Sequence, residues 1–505
     1  MRGHPATTPK AEYTPHGQPG QHAPEDYHII DIRDLFPPVD AQREAWQLVN
    51  DEIERALGEA MAGPVLPRAD NAAFRQELAR YDFTAPQPLA DAVHWVAGAL
   101  KTGLVQTTSP RYYGLFNGRA SLTAELADRL TAAFNPQLSV WSHAPAAVEI
   151  ERHTISAVAT RLGFGSAAGG HFTSGGAEAN CTGLLCALTR ANDDFDELGA
   201  RAFAGPPRVY ASRDSHLAWL KIAHEAGVGR GAIRLIPTDG HGRMDAKALR
   251  SAIDNDRRAG DVPVMIAATA GTTNAGAVDP LRECRAIADE HRLWLHVDAA
   301  WGGGLIATTS ARGLIEGIER ADSVTIDAHK WLAATMGTGM FLIRDARLLA
   351  RVFRVAASYM PVSDPGLDPY VNSVQWSRRF AGLRLFLTLA TAGWKGLGRH
   401  IERSLELATR LESRLRAKGW SVVNNPGMAV VCAVPPPGSS PVDRIIASLH
   451  ANGRHWCSKA MFEGQPVVRA CITNSTTTES DVEALADELD AQANSAPAMQ
   501  AGTPR

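Results

Sequence analysis

Between Gly170 and Ala328, short continuous apolar runs alternate with stretches of helical periodicity, and few folds accept that alternation. The runs are RVYAS (Arg208–Ser212), AIRLIP (Ala232–Pro237), PVMIAATA (Pro263–Ala270), LWLHVDA (Leu293–Ala299) and SVTIDA (Ser323–Ala328). Their shortness marks them as strands, and being apolar on both faces they need cover on both sides. HLAWLKIAHEAG and LRECRAIADEH, lying between them, supply covering helices. The expected architecture is α/β with a mostly parallel sheet. Open sheets of this kind bind ligands at the carboxyl ends of their strands, so residues just after each run meet in space.

A chain of 505 residues exceeds what one core usually serves. Residues 1–26 are polar and rich in Pro, Gly and His, and are expected to form a disordered extension. From 27 to 108, apolar positions recur at helical spacing, as in AWQLVNDEIERALGEA and PLADAVHWVAGAL, which reads as a helical arm. A large domain follows over 109–395, its first helices interrupted at Pro136 and Pro145. A long helical stretch from Leu383 leads into a smaller α+β domain, 396–490. There SVVNNP, MAVVCAV and PVVRACIT read as strands, and PVDRIIASLHAN and TESDVEALADELDAQA as helices. Residues 491–505 read as a tail.

A net charge of -3 gives no reason to expect nucleic acid or an anionic membrane as partner. No apolar run approaches the roughly 18–20 residues that span a bilayer. The N-terminus lacks the apolar stretch of a secretory signal, so a cytoplasmic protein is expected. The six cysteines form no CxxC pair and no His cluster completes a metal pattern, so no metal is expected.

Three motifs carry chemistry. In SVTIDAHKWLAATMGTGMFL, Lys330 directly follows an expected strand, and a partly desolvated lysine there can form a Schiff base with an aldehyde. In HVDAAWGGG, Asp298 ends the preceding strand, thirty-two positions earlier. A carboxylate against a pyridine nitrogen keeps that nitrogen protonated, which lets the ring drain an electron pair from a substrate carbon. Ala299 and Ala300 leave room for a flat ring. In FTSGGAEANCTGLLCAL, a loop opens directly into a helix expected to start near Glu178. Helix N-termini suit a phosphate, Gly175 and Gly176 let the backbone come close, and Ser174 offers a hydroxyl.

TSGGAEAN, HVDAAWGGG and DAHKW, in this order and spacing, closely resemble the group II pyridoxal-phosphate decarboxylases. This is the family of aromatic-amino-acid, glutamate and diaminobutyrate decarboxylases. The likeness runs from about Ser109 to Glu488 and takes in WSRRFAGLRLFLTLATAGWKGLGRHI and VVRACITNSTTTESDV. It implies a fold-type-I chain that binds pyridoxal 5'-phosphate, decarboxylates an L-amino acid to its amine and acts as a homodimer. By the same resemblance Lys330 carries the cofactor and Asp298 pairs with its ring nitrogen. His216, in SRDSHLAWLKIA, stacks on the ring, with Ala300 on the opposite face. Thr273 lies near the phenolic oxygen, Asp327 and His329 near the phosphate and the lysine, and Gly175, Gly176 and Ala177 cradle the phosphate. Ala177 stands where some relatives carry Ser. Tyr359, twenty-nine positions after Lys330, matches a loop tyrosine that protonates Cα once carbon dioxide has left. Tyr rather than Phe there favours the amine over an aldehyde.

The resemblance thins at the substrate pocket, expected from SPRYYGLFNGRAS and, across the dimer, NPQLSVWSHAP. Phe116 is kept, with Leu115, Asn117 and Gly118 beside it, while Gln137 and Ser139 replace apolar and aromatic residues of the aromatic-amino-acid enzymes. A polar, roomier pocket is expected, with Phe116, Asn117, His143 and Arg469 as candidate substrate-side residues. A decarboxylating oxidase, a carbon-carbon lyase or desulfurase, and a non-catalytic dimeric cofactor binder stay open as alternatives.

Overall fold

A computed structural model describes residues 35–68, 70–355 and 368–495. It divides into two compact units, one running to Val105 without Pro64–Leu66, the other holding Pro64–Leu66 and everything from Gln106.

The described part of the first unit is built of helices Val39–Ala62, Asn71–Leu78 and Leu89–Gly103. The Asp70 carboxylate accepts the Ala72 and Ala73 amides (2.9 and 3.0 Å) and so starts the second helix. Only Ala56 and Ala60 are buried among its described residues, too little for a core of its own. The expected arm of residues 27–108 overlaps this unit, whose last residue is Val105.

The second unit holds two sheets. The larger is built of β1 (Gly169–Thr173), β2 (Pro207–Ser212), β3 (Ile233–Ile236), β4 (Val262–Thr269), β5 (Trp294–Asp298), β6 (Ser323–Asp327) and β7 (Gly339–Ile343). Their order is β1-β7-β6-β5-β4-β2-β3, and only β7 runs against the rest. Alternation along β4 assigns its faces. Met265 and Ala267 pack with Leu184, Leu188, Trp219 and Ile222, whereas Ile266 and Ala268 join the core that includes Leu281, Cys284 and Ile287. Helices on both faces thus cover the apolar strands. The smaller, antiparallel sheet has the order β10-β11-β9-β8, with β8 at Ser421–Val422, β9 at Val430–Val434, β10 at Ser458–Phe462 and β11 at Gln465–Cys471. A helical segment, Gly382–Ala417, leads from one sheet to the other and breaks at Gly393, whose φ is +62°. The boundary expected at 395/396 falls inside it.

Pro145, expected to interrupt a helix, instead opens the helix Pro145–Leu162 at its first turn, where its missing N–H costs nothing. The phosphate-loop helix starts at Gly176, two residues earlier than expected.

Candidate active site

Five strand ends of the larger sheet deliver the functional side chains. After β1 come Ser174–Ala177, after β2 His216, after β4 Gly271 and Thr273, β5 ends in Asp298, and β6 ends in Asp327 with His329 and Lys330 beyond. All of them line one cleft of about 360 Å³, together with Phe116, Asn180, Ala300 and Trp301.

Lys330 Nζ lies 3.0 Å from Asp327 Oδ2, a carboxylate that is 4% exposed. His329 Nε2 is 3.8 Å from the same oxygen, and burial lowers the pKa of this imidazole against the pull of Asp327. The two oxygens of Asp298 each accept one bond, Oδ2 from Asn180 Nδ2 (2.8 Å) and Oδ1 from the Ala300 amide (3.1 Å). Lone pairs remain on both for a third donor. His216 accepts the Ala218 amide on Nδ1 (3.1 Å), so its Nε2 carries the hydrogen of the neutral ring. It caps a helix start and lines the cleft at once.

At the helix N-terminus, Glu178 accepts both the amide and the hydroxyl of Ser174 on Oε2 (2.8 and 2.7 Å), while its Oε1 takes Gln375 Nε2 (2.6 Å). With the Ser174 hydroxyl committed to Glu178, the anion cradle rests on the amides of Gly175, Gly176 and Ala177, and no side chain caps that first turn. A Cβ on Gly176 would sit 3.0 Å from Asp327 Oδ2 and 3.3 Å from Ala300 Cβ, a tight fit that glycine relieves. An amine, an acceptor carboxylate and an uncapped helix start thus face one cleft, with small Ala300 on its wall. This is the donor set that pyridoxal phosphate requires.

Beside Lys330, Phe116 stacks on Trp301 (centroids 4.2 Å apart), and Trp301 on Trp331 (3.9 Å). Lys330 Nζ is 5.5 Å and the Arg469 guanidinium 5.2 Å from the Phe116 ring centroid. Arg469 is buried and donates to the carbonyls of Thr273 (2.9 Å), Asn274 (3.1 Å) and Gly114 (2.6 Å). It does not itself line the cleft, and neither do Asn117 and His143, the latter exposed. Gln137 and Ser139, expected to reach a substrate pocket across the dimer, do not line the cleft of their own chain. Gln137 Oε1 accepts the Ser139 and Arg378 amides (3.1 Å each), and the wall beside Lys330 is Phe116, Trp301 and Met336. Tyr359 lies outside the described residues.

Asn180, Glu178 and His296 escaped the sequence reading. Asn180 stands four residues after Gly176 and so shares its helix face, and His296, two before Asp298, shares its strand face. Burial holds the His296 ring neutral, its pKa lowered to about 4, and likewise lowers His171 on β1 to about 3. Unfolded imidazoles titrate near ~6.5. Below that pH the unfolded chain takes up protons that the folded chain refuses. This stability is therefore complete above the unfolded value and drains away as pH falls through 6 and 5 toward the folded values. Each ring contributes a slope approaching ~1.4 kcal/mol per pH unit. Urea midpoints should be lower at pH 5 than at pH 7; an unchanged or higher midpoint would mean the two rings are not buried as neutral groups.

The profile of the pyridoxal-dependent decarboxylase conserved domain matches residues 82–433. A tyrosine decarboxylase of Oryza sativa subsp. japonica is 32% identical over 386 residues, 73% of this chain and 72% of that protein. An aromatic-L-amino-acid decarboxylase of Bacillus atrophaeus is 29% identical over 420 residues, 79% and 86% of the two chains. Among solved structures, mouse CSAD superposes with a TM-score of 0.85 at 26% identity, covering 90% of this chain and 99% of that one. The chain belongs to the pyridoxal-dependent decarboxylase family, and is a fold-type-I, pyridoxal-phosphate-dependent amino-acid carboxy-lyase.

Proposed function

We propose that this chain converts an L-amino acid to its amine with Lys330, Asp298, His216 and Tyr359 as the catalytic residues. The observation that carries the assignment is the single cleft shared by Lys330, Asp298 and the uncapped helix start at Gly176. Bound pyridoxal phosphate supplies the electron sink for the pair left at Cα when carbon dioxide departs. Lys330 would hold the cofactor and Asp298 would face its ring nitrogen. His216 and Ala300 would take opposite faces of the ring, and Thr273 would lie near the phenolic oxygen. The amides of Gly175, Gly176 and Ala177 would hold the phosphate beside Ser174, Asp327 and His329. Phe116 forms the substrate-side wall, with Arg469 behind it. A screen of the common L-amino acids for carbon dioxide release, with and without added pyridoxal phosphate, tests the assignment. Release from none of them would favour a non-catalytic cofactor binder.

Tyr359 returns the proton to Cα in this reading. Tyr359→Phe should lower the amine yield and raise aldehyde and hydrogen peroxide, with oxygen consumed. An unchanged product ratio, measured by chromatography with an oxygen electrode, would remove Tyr359 from the mechanism.

The active form is a cytoplasmic homodimer in the same proposal. On the helix Leu122–Phe134, the side chains Leu122, Leu126, Leu130 and Phe134 recur every fourth position and are 68%, 47%, 44% and 81% exposed. An apolar stripe of that kind supports a self-complementary contact. Sedimentation should give twice the chain mass, and Leu126→Glu with Leu130→Glu should shift it toward the monomer. A wild-type monomer at micromolar concentration would refute the dimer. No helix among the described residues is long and apolar enough to cross a membrane.

A further inference from the structure

Behind Asp298 runs a chain of buried polar groups that the reaction itself does not use. Trp294 Nε1 donates to Ser323 Oγ (2.8 Å), Ser323 Oγ meets His296 Nδ1 (2.7 Å), His296 Nε2 meets Asn180 Oδ1 (2.9 Å), and Asn180 Nδ2 reaches Asp298 Oδ2 (2.8 Å). Thr325 Oγ1 stands 3.3 Å from His296 Nε2. Asn180, His296, Ser323 and Thr325 are all essentially shut off from solvent.

An indole N–H only donates, so Ser323 accepts from Trp294 and has one hydrogen left to give. Given to His296 Nδ1, it leaves the imidazole hydrogen on Nε2. That hydrogen meets the amide oxygen of Asn180 and turns the NH₂ group toward Asp298. Every bond then runs one way, ending on a carboxylate oxygen that accepts. The opposite polarity would set the Asn180 oxygen against an Asp298 oxygen, which requires a protonated acid, and would leave the Ser323 hydrogen without an acceptor in the chain. The geometry is also built tightly. A Cβ on Gly183, three residues along from Asn180 on the same helix, would lie 2.6 Å from His296 Nδ1. No other residue leaves the ring where it is.

We propose that Asn180, His296 and Ser323 are positioning residues that hold the Asp298 carboxylate aimed at the ring nitrogen of the cofactor. The proposal rests on the cofactor assignment above and adds to it the groups that fix the orientation of the acid.

The test compares wild type, Asn180→Ala, Ser323→Ala and Gly183→Ala. Equilibrium dialysis gives the pyridoxal-phosphate dissociation constant, and the visible band of the bound cofactor is titrated with pH. Asn180→Ala and Gly183→Ala should each weaken cofactor binding by about tenfold or more, as loss of an outer-shell partner commonly does, and both should move the midpoint of the band. Ser323→Ala should act in the same direction with a smaller effect. Gly183→Ala raises helix propensity, so it carries the test should Asn180→Ala fail to fold. Variants that melt earlier but keep the wild-type dissociation constant and midpoint would overturn the proposal and leave the cofactor assignment standing. A wild-type chain that takes up no pyridoxal phosphate would overturn both.

Discussion

Lys330→Ala should lower decarboxylation by on the order of 10⁴-fold or more and abolish the visible absorbance of bound pyridoxal phosphate, since removing a group that bonds to the reacting system removes a whole step. The side chain also pairs with Asp327 at 3.0 Å, so loss of charge alone must be separated from loss of the amine. Lys330→Arg does so. The guanidinium keeps the positive charge but stays protonated and makes no bond to the cofactor aldehyde. Activity and absorbance should be as low in Lys330→Arg as in Lys330→Ala. Rescue by arginine would mean that Lys330 acts as a charge, and the proposed role would fall.

The largest effect on stability is expected at Glu151 and Arg378. Arg378 Nη2 lies 2.8 Å from Glu151 Oε2, with the two side chains 3% and 6% exposed, and Glu151 Oε1 accepts the amide of Gly382 (2.9 Å) at the start of the segment Gly382–Ala417. The carboxylate thus neutralises a buried cation and caps a helix start, where negative charge is favoured. Glu151→Ala leaves the cation, among the described residues, with one long side-chain hydrogen bond to Ser373 Oγ (3.4 Å) and removes the acceptor of the Gly382 amide. Removing one partner of a buried pair typically costs about 3–5 kcal/mol. Replacing both, as in Glu151→Leu with Arg378→Met, should cost much less, because no buried charge is left alone. Denaturant midpoints of the cofactor-loaded protein decide this. A single variant as stable as wild type, or a double variant worse than either single, would contradict the account.

What could be read from the sequence follows from how each feature is encoded. The strands β2 to β6 are continuous apolar runs, and their spans agree with the expected ones to within a residue or so. Strand β1 opens with two glycines and β10 alternates half-buried and exposed positions at a sheet edge, so neither has the apolar signature, whereas β7 (GMFLI) is an apolar, fully buried run that the sequence reading did not mark. Lys330, Asp298 and the Gly175–Gly176 loop were legible because each sits at a strand or helix end, where position itself implies exposure to a ligand. Asn180, Glu178 and His296 were not, because their partners are set by packing. Only the fold reveals that Glu178 takes both donors of Ser174, or that Gly183 on its helix makes room for the His296 ring of β5. Packing likewise decides what Gln137 does within its own chain, where its oxygen serves two backbone amides.

The register of β5 with β6 has a bearing on how this protein tolerates change. Asp298 is paired across the ladder with Thr325, two positions before Asp327 and five before Lys330. The span between acid and amine is therefore ruled by interstrand hydrogen bonds, not by the length of chain that joins them. Residues 299–322 leave the sheet and return to it, so insertions or deletions at their solvent-facing bends can accumulate while the two reacting ends stay the same distance apart.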